Sequence, residues 1–402
     1  MRPQPLASDF FPQIQRGYPV MPVFHMRGGT STGVVLWRDH LPQSMPLCEE
    51  LIRHLMGVPL QGELTGNRQI TGLGRAVATS NKVFIVSPHT GDDADFDSTL
   101  AQLAADHAEI DWRVNCGNMS AALPLYLLET GLIRADSPET RLRIWNTNTH
   151  RLTQMRMPTP YKAASIPGVQ GQFPEVELSL QDPVGAKTGR LFPTGQRQQT
   201  IQGVALSCVD VAVPMIIIRA SDVGCTARES LTHLQTDKAL LERLRSIWVE
   251  AGLLMGLKSS DGAAMSAQAL ARSETVPKVC LVAPAQDQAD LHVRYFTPQT
   301  PHASMAVTGG CCLAVSALLE GTVAHEMAGQ GKCLSSQVGE TIVRMANPAG
   351  VLQARVCGHE ADGVVHIPWV SYQRTAQVLL QGLMPVYDAS TELRQFFEGY
   401  RA

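Results

Sequence analysis

Two stretches of this 402-residue chain, 196 positions apart, read almost alike: Asn81-Lys-Val-Phe-Ile-Val-Ser-Pro88 and Pro277-Lys-Val-Cys-Leu-Val-Ala-Pro284. Both are short β-rich runs with a proline at the exit, the pattern of a strand with a marked end. A second pair follows them. Met119–Gly131 and Cys311–Gly321 are Ala/Leu-rich helical runs, each with a glutamate shortly before a terminating glycine, and those glycines lie 190 residues apart. A third pair, Met21–Trp37 and Val209–Gly224, puts an apolar strand and a turn near the head of each half, about 187 residues apart. Three landmarks in one order at nearly one offset describe two copies of one α/β unit. The expected domains are 1–190 and 191–402, with the last strand able to return to the first domain, and the turn-rich stretch Pro183–Gln199 is the expected crossover. Both helical runs are apolar nearly all round, so each is expected inside a curved sheet rather than on its surface. Pro124 falls in the first turns of the first helix, where proline is tolerated.

Composition narrows the function classes. A chain of this length buries about three quarters of its unfolded surface, and 44% hydrophobic with 17% charged residues fits a globular protein. A formal charge of −3 and 5% aromatics argue against nucleic-acid binding. No apolar run approaches the roughly 20 residues of a membrane span, Val211–Ile218 being among the longest. The opening Met-Arg-Pro-Gln-Pro has no apolar stretch behind it to make a secretory signal. Nine cysteines without a C-x-x-C read as reduced thiols. The expectation is a cytoplasmic enzyme with a small-molecule substrate and neither nucleic acid nor membrane as partner.

Several segments could carry chemistry. Asn115-Cys116-Gly117-Asn118 stands just before the first buried helix, where backbone amides converge and the helix field favours anions and a thiolate. Its cysteine could act as acid, base or nucleophile, or merely fill a turn. Arg27-Gly28-Gly29-Thr30-Ser31 follows an apolar strand and offers backbone N–H, hydroxyls and a bidentate cation, a cradle for a carboxylate. Gly29-Thr30-Ser31-Thr32-Gly33 is also a literal G-x-S-x-G, but that hydrolase elbow needs a strand-to-helix turn, and Val34-Val35-Leu36-Trp37 continues as strand. Lys82 opens the first repeated strand; beside such a turn and Arg27, its ammonium pKa would fall enough for it to serve as a base. Lys278 holds the equivalent place in the second half, and His302 precedes the second helix as the counterpart of the Cys116 turn. Asp92-Asp93-Ala-Asp95-Phe-Asp97 lacks the glycine and distant glutamate of a calcium loop, so no metal is expected there. Gly72-Leu-Gly74 lacks the third glycine of a dinucleotide fingerprint.

At these residues the chain resembles the PrpF family of 2-methylaconitate cis–trans isomerases, 4-oxalomesaconate tautomerases and methylitaconate isomerases. The matching segments are MRGGTSTG at 26–33, SNKVFIVSP at 80–88, ADFDSTLAQ at 94–102, NCGNMSA at 115–121 and DPVGAKTGRLFPTG at 182–195. They continue with VDVAVPMIIIRASDVG at 209–224, AGLLMGL at 251–257, PKVCLVAP at 277–284 and the motifs between 293 and 323. The resemblance implies an α/β (α+β) chain of two pseudo-symmetric diaminopimelate-epimerase-like domains, each a curved sheet around a central helix, with the active site in the cleft between them. It implies Lys82 and Cys116 as catalytic residues. Its implied substrate-binding set is Arg27, Gly28, Gly29, Thr30, Ser31, Asn115, Gly117, Asn118, Lys278, His302 and Ser304. The chain departs from the family at three places: Thr32 stands for the usual lysine of GGTSKG, Pro301 for the cysteine before the histidine, and Thr71-Gly72-Leu73-Gly74 for an Asp-Gly-x-Gly turn. Cys311 and Cys312 fall inside the second helix and are expected in the core.

The expected activity is a proton shift, by double-bond migration, keto–enol exchange or cis–trans change, in a small unsaturated di- or tricarboxylate. It changes no oxidation state, so neither cofactor nor metal is expected, and a homodimer is compatible with the pattern. Two rivals stand beside it. An amino-acid racemase or epimerase on the same fold would need two opposed thiols, which Pro301 disfavours. A non-catalytic polycarboxylate-binding accessory protein for an iron–sulfur hydratase would keep Lys82 and Cys116 without turnover.

Overall fold

The computed structural model describes residues 10–112, 114–259, 262–273, 275–285, 288–329 and 331–400. The N-terminal segment read above for a secretory signal lies outside them. The chain divides into two compact units, Met1–Leu178 with Arg374–Ala402, and Ser179–Gln373.

In the first unit, strand Tyr18–Gly28 turns through Gly29 and Thr30 into the antiparallel Ser31–Trp37. That strand runs parallel to Lys82–Pro88, which is antiparallel to Phe96–Leu103. Phe96–Leu103 is parallel to Glu139–Asn146, and Arg151–Pro158 pairs antiparallel to the latter. The second unit repeats this series of orientations with Val204–Val211, Val213–Arg219, Lys278–Pro284, Leu291–Thr297, Gly339–Asn347 and Gly350–Ala361. The repeated sequence Lys-Val-x-x-Val is thus the third strand of each series. The long strand Val364–Pro385 serves both units: its early residues pair with Gly350–Ala361, and Ala376–Pro385 pair with Tyr18–Gly28.

Each sheet is apolar on both faces, as a sheet covered on both sides must be. In the first unit Met21, Val23, Val34, Leu36, Val83 and Ile85 pack outward against helices Met45–Met56 and Thr391–Gly399. The alternate residues face inward; the Phe24 ring meets Tyr126 of the central helix edge-on at 5.1 Å. Ala122 to Leu127 are all buried, and so is nearly all of Val307–Leu318 in the second unit. Helices buried on every side explain why neither shows a polar stripe.

The first central helix is broken, Gly117–Ser120 and then Ala122–Glu129. Pro124 is the reason. It has no N–H for the Ser120 carbonyl and its ring would strike that carbonyl, so the turn tightens and Ala121 N donates to Asn118 O instead, at 3.2 Å. The stretch Pro183–Gln199 carries no strand or helix before Gln199–Ile201. It is pinned from within its own unit by the fully buried Asp210, whose Oδ2 accepts from Lys187 N, Thr188 N and Thr188 Oγ1 at 2.9, 2.7 and 2.8 Å. None of the nine cysteines is joined in a disulfide, and no helix among the described residues is long and apolar enough to cross a membrane.

Candidate active site

Strand alternation decides which candidate side chains can meet. In the hairpin of the first unit, Gly28 pairs with Ser31 on the inner face, and Arg27 pairs with Thr32 on the outer face. Gly29 has φ +54°, the conformation a two-residue hairpin turn of this kind takes from glycine. A Cβ on Gly28 would lie 2.6 Å from the carbonyl oxygens of Asn118 and Met119, so the absent side chain lets the start of the central helix rest on the strand. Gly33, on the second strand of the hairpin, admits the neighbouring strand as closely: a Cβ there would lie 2.4 Å from Lys82 O and 3.0 Å from Lys82 Cβ. These two contacts bring Lys82 and the Cys116 turn to one inner surface.

Cys116 is the N-cap of Gly117–Ser120, and its sulfur accepts from Met119 N at 3.5 Å. The Ser31 hydroxyl lies 3.7 Å from that sulfur. Asn115 is exposed and its Oδ1 accepts from Cys116 N at 2.7 Å, while Cys116 itself is half-buried. The amides of Gly117 and Asn118 open the helix, where no intrahelical acceptor precedes them. Lys82 is buried, 6% exposed. Burial lowers its pKa below the ordinary lysine value, and the Cys116 side chain, through its charge, partly opposes that shift. A desolvated amine and a thiol thus share one inner surface.

The cation of this surface is not the one expected. Arg27 Nη1 donates to Gly29 O at 2.9 Å and to Thr375 O and Oγ1 at 3.1 Å, and its Nε donates to Gln377 Oε1 at 3.2 Å. Its guanidinium stacks 4.4 Å from the Phe173 ring centre, on the face away from Cys116. Only Nη2 lacks an acceptor, so Arg27 braces the turn from behind and offers no bidentate fork; burial holds its pKa at about 10. This corrects the expectation for Arg27. Thr32 shares that outer face, so the loss of the family lysine there leaves the inner surface unchanged. Arg374 supplies the inner cation: Nε donates to Asn118 Oδ1 at 2.7 Å, and Asn118 Nδ2 donates to Thr30 Oγ1 at 3.3 Å. Sequence reasoning missed Arg374, which lies 256 residues from Asn118 in a segment without a turn or repeat to mark it.

Lys278, His302 and Ser304 belong to the second unit. Lys278 is half-buried at the opening of its strand. His302 Nδ1 accepts from Ser304 N at 2.9 Å, which places the proton of the neutral ring on Nε2, and the ring meets Tyr295 edge-on at 5.9 Å. The helix of this unit is capped by Ala306, four residues beyond His302, so His302 is not the positional counterpart of Cys116. Cys311 and Cys312 are fully buried in that helix, as expected. The aspartate run 92–97 is a stapled turn: His89 spans Asp97 and Asp93 at 2.7 and 2.9 Å, and Arg143 holds Asp95 at 2.9 Å. Among the described residues no three His, Cys, Asp or Glu side chains are grouped to hold a metal. A cavity of about 980 Å³ in the first unit, lined by Asn67, Arg68, Asn81, Gln102, His107 and Trp112 among others, adjoins the start of the Lys82 strand without including Lys82 or Cys116.

Residues 20–387 match the family model described as PrpF protein. The chain is 31% identical over 376 residues to the 4-oxalomesaconate tautomerase of Pseudomonas putida, covering 90% of this chain and 95% of that one. The crystal structure of a methylitaconate-delta-isomerase superposes with a TM-score of 0.77 at 28% identity, over 92% of this chain and 96% of that one. A hydroxyproline epimerase from Agrobacterium vitis shares the fold, with a TM-score of 0.50 at 15% identity over 93% and 94% of the two chains.

Proposed function

Because the chain belongs to the PrpF family, we propose that it is an isomerase that moves a proton across the allylic or keto–enol system of a small unsaturated di- or tricarboxylate. The observation that carries this reading is the buried Lys82 sharing one inner surface with the accessible thiol of Cys116.

Lys82, with its pKa lowered by burial, presents more free amine near neutral pH than an ordinary lysine. It takes a proton from the carbon beside a carboxylate or carbonyl, and the electron pair moves into the conjugated oxygen as a dienolate. Cys116 then gives its proton to the carbon at the far end, and the double bond has shifted. The pair is left as ammonium and thiolate. One proton passing from Lys82 back to Cys116 restores the starting state, and the Ser31 hydroxyl, 3.7 Å from the sulfur, is the relay at hand. The amides of Gly117 and Asn118 and the Gly28–Ser31 turn with Asn115 bind carboxylate and spread the dienolate charge; preorganised stabilisation of this kind usually contributes more to the rate than any other single effect.

The test is proton NMR in D₂O on 4-oxalomesaconate, methylitaconate, 2-methylaconitate and aconitate. A shifted double bond with deuterium on carbon is expected for at least one of them. Label confined to the α-carbon of a free amino acid would indicate a racemase, and binding without label an accessory protein; either result sinks the isomerase reading.

A further inference from the structure

We propose that Arg374 is a positioning residue of this site: acting through Asn118, it locks the start of the central helix to the Gly28–Ser31 turn and fixes the spacing of the two groups that bind carboxylate. The ligand class rests on the isomerase reading above; the linkage rests on geometry.

Three observations carry it. Strand Val364–Pro385 pairs Ala376 with Gly28, so Arg374, two residues earlier, lies on the inner face with Gly28, Ser31 and Lys82. It is 2% exposed, a charged side chain held inside the unit rather than on its surface. Its Nε donates to Asn118 Oδ1 at 2.7 Å, and a cationic donor on Oδ1 fixes which way the amide points. The Nδ2 end then faces the Thr30 hydroxyl at 3.3 Å. The chain Arg374–Asn118–Thr30 therefore joins the return strand, the helix that follows Cys116 and the hairpin turn. Gly29 is shaped to admit it. A Cβ there would lie 2.6 Å from Asn118 Oδ1 and 3.0 Å from Arg374 Cδ.

A lysine at this place would keep the charge but not a planar N–H aimed at one amide oxygen. The positioning role thus predicts that charge alone is insufficient, and that Arg374 has no effect once Asn118 is gone. The experiment is a double-mutant cycle on the full chain, reading kcat and KM on the converted substrate and the dissociation constant for tricarballylate, a saturated tricarboxylate that cannot isomerise. Arg374→Gln and Asn118→Ala are each expected to raise KM and the tricarballylate dissociation constant about tenfold, with kcat changed less. The double variant should be no worse than the worse single, and Arg374→Lys should resemble Arg374→Gln. Multiplying effects, full rescue by lysine, or unchanged tricarballylate affinity would each overturn the proposal. If Arg374→Gln does not fold, Thr30→Val cuts the same chain at its far end, and a wild-type KM in that variant would overturn it equally. Turnover with multiplying variants refutes this inference alone. Coupled tricarballylate binding without turnover of any candidate refutes the isomerase reading alone, and loss of both refutes both.

Discussion

Alanine at Gly28 measures how closely the Cys116 helix must sit on its strand. The added Cβ would lie 2.6 Å from Asn118 O and from Met119 O, and 2.8 Å from Met119 Cα. Ordinary carbon–oxygen contact begins near 3.3 Å, so strand and helix would have to part by roughly 0.7 Å. All three struck atoms are backbone, and no rotamer change can relieve them. Gly28 does not have a positive φ, so alanine also gains about 0.4–1 kcal/mol by restricting the unfolded chain. Overpacking costs about 1–3 kcal/mol, and the balance is a loss of about 1–2 kcal/mol. Gly382 is the control: it lies in strand Val364–Pro385, also without a positive φ, and a Cβ there meets nothing within 4 Å. Gly382→Ala should be neutral or slightly stabilising. Urea unfolding of both variants reads the stability arm, which needs no functional assumption. The turnover arm follows from displacement: moving a reacting group by about 1 Å costs about 100-fold, so Gly28→Ala should lose activity far beyond its loss of stability. If Gly28→Ala is as stable as Gly382→Ala and keeps turnover within threefold, the close approach is not what positions Cys116.

Lys82→Met should lower turnover by about 100-fold or more and leave stability at pH 7 equal or higher, since it removes a cation that burial disfavours; turnover within tenfold of wild type rules out Lys82 as the base. Cys116→Ser keeps a good N-cap, so the fold should hold, while a hydroxyl is too weak an acid to replace the thiol; kinetics near wild type in this variant would exclude the acid role. Acid should destabilise the protein through His25 and His40, 5% and 8% exposed, whose pKa values burial lowers from 6.5 to about 4. The unfolded chain takes up both protons first, so stability is full above pH 6.5 and falls as pH drops toward 4, by about 3 kcal/mol for each histidine. His25→Gln should remove half of that slope in unfolding titrations, and a flat profile between pH 6.5 and 4 would contradict the burial argument.

The strands and central helices were legible because their signals are local. Lys82–Pro88 and Lys278–Pro284 carry the same apolar run to the same proline, and two helices without a polar side have nowhere to go but inside. The break before Pro124 is local too, since a proline's cost falls on the carbonyl four residues earlier. What the sequence hid was the face each residue takes. Arg27 and Ser31 look like one cradle in a linear motif, yet the hairpin register sets Arg27 with Thr32 and Ser31 with Gly28, on opposite sides. A motif written as a string counts positions, whereas a strand sorts them by parity. Arg374 was invisible for a different reason. Its partner Asn118 is met only through the pairing of the last long strand with the first, a contact set by tertiary register and not by spacing.

The duplication itself argues for where the chemistry stands. Both units build the same strand series around a buried helix, so each could in principle present a lysine at the third strand and a group at the helix start. Only the first unit fills both places. Its helix is capped by the sulfur of Cys116, whereas the second is capped by Ala306 with no side-chain bond. In the second unit Gly309 and Gly310 let the helix lie against Tyr295 and Tyr372, where a Cβ would come within 2.5 and 2.4 Å of the rings. The thiols that follow, Cys311 and Cys312, are fully enclosed, and burial pushes the Cys312 thiol well above its ordinary value. A thiol that cannot meet solvent or ionise near neutral pH cannot exchange a proton with a substrate. The second copy thus keeps the framework and encloses both of its helix thiols, whereas the first brings a buried lysine and a half-buried thiol to one inner surface.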